Sequence, residues 1–369
     1  MTIGIVGAGQ LGRMLALAGY PLGLDFLCLD PAHDAPAGAV APLLHGAFTD
    51  RSLLRQLARR CEVVTFDWEN VPGASLRALE RGARSARIAP PVAALECGQD
   101  RLNEKRLFEE LRIPTTRWRP VDSRTDLERA LGAVGLPGML KTRRLGYDGK
   151  GQLPIRTRGD AARALAQLGR VPLLYEEWVP FDWEVSVIGA RGARGEVAIY
   201  PLCGNVHRAG ILRLTRAPFG PGRWQRLASL YLRRVLAHFR YRGVLAIEFF
   251  VRDGRLIANE MAPRVHNSGH WTIEGAQTSQ FENHLRAILG LPLGSTRALG
   301  HSAMINLIGR IPPRAHVLAL DGVHLHDYGK RPRPGRKVGH CTVVEPSAAR
   351  RDARARRLAA ELAVAVRIP

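Results

Sequence analysis

The chain opens on a short apolar run, residues 2–6 (TIGIV), and passes at once into the glycine-rich GAGQLGRM and an amphipathic stretch through Ala18. Leu24–Asp30 and Val63–Phe66 repeat the strand pattern. Strands alternating with helical stretches predict a parallel α/β sheet, a Rossmann-like domain, for residues 1–95. Beyond it a helix is predicted over Asp100–Leu111, stopped by Ile113-Pro114. Thr125-Asp-Leu-Glu128 predicts a capping box for a helix that Gly135 ends. A strand at Met139–Lys141 leads into a Gly-rich loop, Gly146–Gly151. Further strands are expected at Leu173–Glu177, Glu184–Gly189 and Glu196–Pro201, then a helix near Trp224–Arg240. A hairpin follows over Gly243–Met261, its turn marked by Asp253-Gly254. Residues 293–369 carry short strands, a basic loop at Lys330–His340 and an Arg-rich terminal helix.

Composition narrows the class. Hydrophobic residues at 46% and charged residues at 24% are globular values, which excludes wholesale disorder. No run approaches the ~18 apolar residues of a membrane span. The N-terminus has no basic region or cleavage site, and the five cysteines are scattered with no C-x-x-C. Secretion, a disulfide framework and a zinc site are therefore not expected, and the compartment reads as cytoplasm. The net charge is +21, but only Lys105, Lys141, Lys150, Lys330 and Lys337 are lysines. So lopsided an arginine excess, with much Ala and Gly, points to codon bias rather than to nucleic acid. Residues 1–95 are nearly neutral, so the positive charge that would welcome an anionic ligand lies in the later part of the chain.

Three motifs carry chemistry. Gly7-x-Gly9-x-x-Gly12 follows a strand and opens a helix, and Asp30 ends the next strand, which meets the dinucleotide fingerprint. An NAD-linked oxidoreductase stays open on this motif, beside a Rossmann-like fold whose glycines only make a tight turn. LKTRRLGYDGKGQ (Leu140–Gln152) sets Lys141 on a strand before a loop whose free N–H groups and ammonium can wrap a polyphosphate. It is not a Walker A loop, since no G-K-[ST] follows. Glu248 and Glu260 sit in apolar strands flanking one turn, where carboxylates are costly unless paired or metal-bound, and such oxygens suit Mg²⁺. A two-residue turn at Asp253-Gly254 would pair Arg252 with Arg255 and set Glu248 against Asn259, leaving Glu260 on the other face. A shared metal therefore requires a three-residue loop, Asp253-Gly254-Arg255, or a bulge.

Lys141, GYDGKGQ, the EEWV segment with Glu184, and the Glu248…Asn259-Glu260 pair resemble the ATP-grasp superfamily. More narrowly, GAGQLGRM, TFDWENVP (Thr65–Pro72), NEMAPRVHNSGHW (Asn259–Trp271) and RPGRKVGH (Arg333–His340) resemble the 5-(carboxyamino)imidazole ribonucleotide synthases. The likeness runs from the first strand to about residue 345, and APRVHNSGHW is its most specific block. It implies an α/β chain of a pre-ATP-grasp domain (1–95), an ATP-grasp domain (96–292, lid about 115–178) and a C-terminal domain (293–369) completing the ATP-grasp sheet. The implied reaction carboxylates aminoimidazole ribonucleotide with ATP and bicarbonate, through carboxyphosphate, in purine biosynthesis.

By position, the resemblance implies that ATP is met by Arg101, Lys141, Glu176, Glu177, Trp178, Val179, Glu184, His207 and Asn259, with Gly146, Gly149, Lys150, Gly151 and Gln152 from the lid loop. Tyr147 and Asp148 would reach the reacting centre, and Glu248 and Glu260 would bind Mg²⁺. Arg264, His266 and Asn267 would hold bicarbonate and the amine. Gln10 would lie near the ribonucleotide, and Lys330, Arg336 and Lys337 would take its phosphate. A homodimer is implied, with no nucleic acid and no membrane as partner. Asp67 departs from the family's usual Glu, and Glu177-Trp178 falls where the adenine hinge varies. Another ATP-grasp ligase, such as one activating formate, is the nearest rival, and the HNSGHW block argues against it. Lys105 alone among the lysines falls outside the candidate phosphate segments and is read as chance placement. The arginines after Pro346 are read as a solvated helix face.

Overall fold

The computed structural model describes residues 1–80, 86–146 and 149–364. Three sheets organise it. The first is parallel and runs β3-β2-β1-β4-β5, from β1 (Thr2–Val6), β2 (Asp25–Asp30), β3 (Leu43–His45), β4 (Val63–Phe66) and β5 (Arg87–Ile88). Ile3, Ile5 and Val6 are fully buried, as strands covered on both faces require. The expected Rossmann-like arrangement is what the first residues build.

A small antiparallel sheet follows, β6-β9-β7-β8, from β6 (Trp118–Val121), β7 (Gly138–Thr142), β8 (Gln152–Ile155) and β9 (Leu173–Glu177). The helix Arg124–Val134 lies against it and ends, as expected, at Gly135, whose φ of +91° suits glycine. Its start corrects the sequence expectation. The cap is Ser123, whose hydroxyl accepts from the Asp126 N–H, and not a box from Thr125 to Glu128. The chain is still extended at Ser123 as it leaves β6, so its hydroxyl is the one that reaches the open N–H groups.

The large sheet is antiparallel. Its order is β15-β14-β10-β12-β13-β16-β18-β17, with β11 also paired to β10. The strands are β10 (Trp183–Arg191), β11 (Val197–Ile199), β12 (Cys203–Arg208), β13 (Ile211–Ala217), β14 (Gly243–Arg252), β15 (Arg255–Ala262), β16 (His301–Ile308), β17 (His324–Asp327) and β18 (Lys337–Glu345). Because β16 pairs with β13, the C-terminal strands extend the same sheet. Lys337–His340 begin β18, so the basic loop expected over Lys330–His340 is shorter than read from sequence. The terminal helix Ala348–Glu361 is not solvated all round. Arg351, Ala355, Leu358 and Ala359 are buried, and Arg351 donates to the Pro218 carbonyl at 2.9 Å. One continuous core joins Ile3 and Ile5 of the first sheet to Val244, Trp271 and Leu285 around the large one. Among the described residues no helix is long and apolar enough to cross a membrane.

Candidate active site

The first glycine turn is already filled. Gly7 takes a φ of +94°, and a β-carbon there would fall 1.9 Å from Oδ1 of Asp67. The Gly12 N–H donates to Asp67 at 2.9 Å and the Ala8 N–H to Asp30 at 2.8 Å. Burial foremost, then the Asp30 charge, pushes the Asp67 carboxyl up to about 6 against the backbone donors. The Ala8 and Gly12 N–H groups of the turn thus serve the chain's own carboxylates, which argues against the oxidoreductase alternative. What this turn offers a ligand is Gln10, at the start of the helix Gln10–Gly19. Its side-chain oxygen accepts from Lys330, brought from the far end of the chain.

The small sheet presents Lys141 on β7. Lys141 pairs with Glu176 on β9, which is 3% exposed and also meets Lys105 at 3.1 Å and Thr116 at 2.9 Å. Burial works against the Glu176 charge, yet the two ammonium groups hold its carboxyl well below the usual range. Burial foremost lowers Lys141, with Arg101 and Lys105 adding to the effect. Glu176 therefore orients Lys141 rather than facing outward. Its neighbour Glu177 is engaged by Arg117 at 2.7 Å, Trp178 is exposed and Val179 is buried. In the lid loop Gly149 and Gly151 adopt φ of +77° and +70°. A side chain at Gly149 would crowd Gly210 in the β12–β13 turn, and one at Gly146 would crowd Arg101. The loop therefore packs close to both. Lys150 is exposed on it, and Gln152 pairs with Lys141 across β7 and β8. Tyr147 and Asp148 lie outside the described residues.

The large sheet supplies the carboxylates. The hairpin turn is two-residue, pairing Arg252 with Arg255, and a bulge between Glu248 and Phe249 restores the useful register. Asn259 is the extra residue, and Glu248 stands opposite Glu260. Of the two devices expected from sequence, the bulge is the one present. Around the pair, His207 Nδ1 lies 3.0 Å from Glu184, His266 Nε2 lies 3.3 Å from Glu248, and Arg101 lies 3.7 Å from Glu260. Burial foremost, then the charges of Glu260 and Glu184, pushes the Glu248 carboxyl up to about 7, against His207 and Lys337. Burial opposes charge on His207, but Glu184 and Glu248 hold it above the ordinary histidine range. His266 is driven well below that range, first by burial and then by Arg264 and Lys337, so its contact with Glu248 is a hydrogen bond of a neutral ring.

Paired carboxylates this crowded suit a hard divalent cation. Among the described residues no cluster of three or more His, Cys, Asp or Glu is set to hold a metal. Two carboxylates with substrate phosphates supplying the rest is the usual arrangement for Mg²⁺. The residues present fit it.

Beyond β15 the remaining predicted residues gather. Arg264 pairs with Glu69 at 2.7 Å, and among the described residues its Nε has no hydrogen-bond partner. Asn267 and Asn306 exchange two hydrogen bonds, at 3.1 and 2.8 Å. A buried polar belt fixes the turn carrying them: Thr215 donates to Asn205, Asn205 to Ser186, and Ser186 to Ser268. Arg336 folds back on the Arg331 carbonyl at 3.3 Å, while the Lys337 charge reaches Glu248, His207 and His266. Sequence reasoning missed Glu69, Glu104 and Lys105. Glu69 lay inside the quoted TFDWENVP block, and the scarcity of lysine was signal enough for Lys105.

Comparison with known proteins agrees along the whole chain. Residues 1–99 match the ribonucleotide synthetase preATP-grasp domain, 106–281 the ATP-grasp domain, and 302–354 the phosphoribosylaminoimidazole carboxylase C-terminal domain. The chain is 52% identical over 343 residues to N5-carboxyaminoimidazole ribonucleotide synthase of Pseudomonas aeruginosa, covering 93% of this chain and 94% of that one. Its fold superposes on the crystal structure of N5-carboxyaminoimidazole ribonucleotide synthetase from Thermus thermophilus with a TM-score of 0.93, at 52% identity and 98% coverage of each chain. An Aspergillus clavatus N5-carboxyaminoimidazole synthase, solved with ADP and 5-aminoimidazole ribonucleotide, gives 0.89 at 32% identity, again covering 98% of each. The chain belongs to the N5-carboxyaminoimidazole ribonucleotide synthase family.

Proposed function

We propose that this chain carboxylates 5-aminoimidazole ribonucleotide with bicarbonate and ATP, giving the 5-carboxyaminoimidazole ribonucleotide of purine biosynthesis. The observation that carries the reading is the alignment of Glu248 with Glu260 across the bulged hairpin, with Arg101 3.7 Å from Glu260 and the positive charges of His207 and Lys337 acting on Glu248. Lys141, Arg101 and the lid loop, with Tyr147 and Asp148, take the phosphates of ATP, and Val179 and Trp178 border its base. Glu248 and Glu260 would hold Mg²⁺, which supplies charge neutralisation to those phosphates.

Bicarbonate is a poor electrophile. An oxygen of it attacks the γ-phosphorus, the bond to the β,γ-bridging oxygen breaks and ADP departs, leaving carboxyphosphate. The ribonucleotide amine then captures the carbon and releases phosphate and a proton. Both steps need positioning and charge neutralisation more than covalent help from the protein, and in this reading Arg264, His266 and Asn267 orient the small reactants. Lys330, Arg336 and Lys337 receive the 5′-phosphate. ADP release measured with the ribonucleotide, with and without bicarbonate, tests the reading: release indifferent to bicarbonate would sink it. The same reading places the chain in the cytoplasm as a homodimer, with domains at 1–95, 96–292 and 293–369. Sedimentation at micromolar concentration tests the dimer.

A further inference from the structure

The helix Arg101–Glu110 turns two ionisable side chains inward, Glu104 and Lys105, each 2% exposed. Burying such groups is costly unless they are fully partnered. The partners explain the placement. Lys105 Nζ lies 3.0 Å from the Thr115 hydroxyl, 3.1 Å from Glu176, 3.2 Å from the Asn259 carbonyl and 3.4 Å from the Ala258 carbonyl. Glu104 accepts from the Met261 N–H, and burial foremost, with the Glu260 charge, pushes its carboxyl up to about 8.

These contacts fall on both sides of the bulge. Strand β15 is the edge of the large sheet, so its outward backbone groups have no neighbouring strand. The Ala258 N–H donates to the Pro114 carbonyl at 2.7 Å, and the Thr115 hydroxyl donates to the Ala258 carbonyl at 2.8 Å. Lys105 takes the carbonyl of Asn259, the inserted residue, and Glu104 the N–H of Met261. An edge strand whose groups on either side of the insertion are claimed by one helix cannot slip by a residue without orphaning them. The same ammonium grips Glu176, which holds Lys141 on the other sheet.

We propose that Lys105 is a positioning residue serving both halves of the site. It fixes the bulged register that brings Glu260 beside Glu248, and through Glu176 it sets Lys141 over the phosphates. The proposal rests on the reading of Glu248 and Glu260 as the magnesium pair. A compact ammonium meets four acceptors from three chain segments, which a planar guanidinium fork cannot do in so closed a space. That accounts for lysine here in a chain that otherwise uses arginine almost everywhere.

The test titrates Mg²⁺ against full-length Lys105→Met, at saturating ribonucleotide and bicarbonate, and separately follows the Mg²⁺-dependent rise in melting temperature with ADP alone. The expected result is a rise of at least tenfold in the magnesium constant in both measurements, with a higher KM for ATP. The KM for the ribonucleotide should stay within about twofold, a split that a general loss of stability would not produce. Glu260→Gln is the control. If it leaves the magnesium dependence of the ADP shift intact, the metal assignment itself is wrong. If Glu260→Gln abolishes that dependence while Lys105→Met keeps the wild-type constant, the positioning role is overturned. Should Lys105→Met not fold, Lys105→Arg keeps a cation against Glu176 and is expected to show the same split; a wild-type constant there overturns the proposal equally.

Discussion

Asp67 accepts a hydrogen bond at 2.9 Å from the backbone N–H of Gly12, 55 residues earlier in the chain. The glycine fingerprint is thereby satisfied internally: the helix N-terminus has its anion, and the anion belongs to β4's own loop. Asp67→Ala leaves that buried N–H without a partner and should lower folding stability by about 1–3 kcal/mol, read from urea unfolding. NADH should show no saturable binding to the wild-type chain. A titration that saturates at micromolar NADH would show the turn to be open after all.

Glu260→Gln keeps the shape of the side chain and removes half of the paired charge opposite Glu248. Turnover should fall below detection while the circular dichroism spectrum stays unchanged. Substantial ADP release from this variant, dependent on bicarbonate, would mean that Glu248 suffices alone.

Lys330 and Lys337 should separate in their effects. Lys330 reaches Gln10, so Lys330→Met should raise the KM for the ribonucleotide about ten- to a hundredfold, as loss of one charged hydrogen bond of ~1.5–3 kcal/mol implies, and leave that for ATP near its wild-type value. Lys337→Met should raise the ribonucleotide KM as well. Its charge also favours the ionised form of Glu248, whose carboxyl stands at about 7, so its removal moves that group further up. The acid limb of kcat/KM, set by free-enzyme groups, should therefore shift to higher pH in Lys337→Met alone. A shift to lower pH would contradict the assigned geometry.

His284 ties the first sheet to the second domain. Its Nε2 meets the Thr65 hydroxyl at 2.9 Å and its Nδ1 accepts from the Val244 N–H at 3.1 Å. Burial lowers it from 6.5 to about 3. The unfolded chain gains a proton near 6.5 that the folded chain refuses until about 3, so stability is full above 6.5 and is lost as pH falls through that window. The slope is at most about 1.4 kcal/mol per pH unit for one group. Unfolding followed between pH 7 and 5 should show the decline, and His284→Gln should flatten it. An unchanged slope in that variant would place the acid sensitivity elsewhere.

The sequence reveals most of what is local. Strands such as Leu173–Glu177, the Gly135 helix end and the need for Glu248 and Glu260 to share a face all follow from periodicity and turn chemistry. It cannot show which device corrects the register, because the bulge at Asn259 is held by Lys105, and the contact between Lys105 and the neighbouring Ala258 carbonyl spans 153 residues. For the same reason Lys105 looks incidental on its own helix. The Gln10–Lys330 contact, across 320 residues, is equally invisible to spacing, although both residues were named from the family likeness. The glycine fingerprint misleads in the opposite way: its geometry is genuine, and only Asp67 in three dimensions reveals that it is occupied.

The pairing of β13 with β16 also orders events in time. Thr215 finds Met304 only after almost ninety further residues have left the ribosome, and Met304 in turn awaits Thr342. Until then β13 is a bare edge, open to whatever strand comes near. The first parallel sheet closes within about ninety residues of chain, whereas the sheet that carries the carboxylates completes its order only once β18 has been made. A nascent chain stalled before β16 would thus already hold Glu248 and Glu260 and still be at its most prone to aggregate.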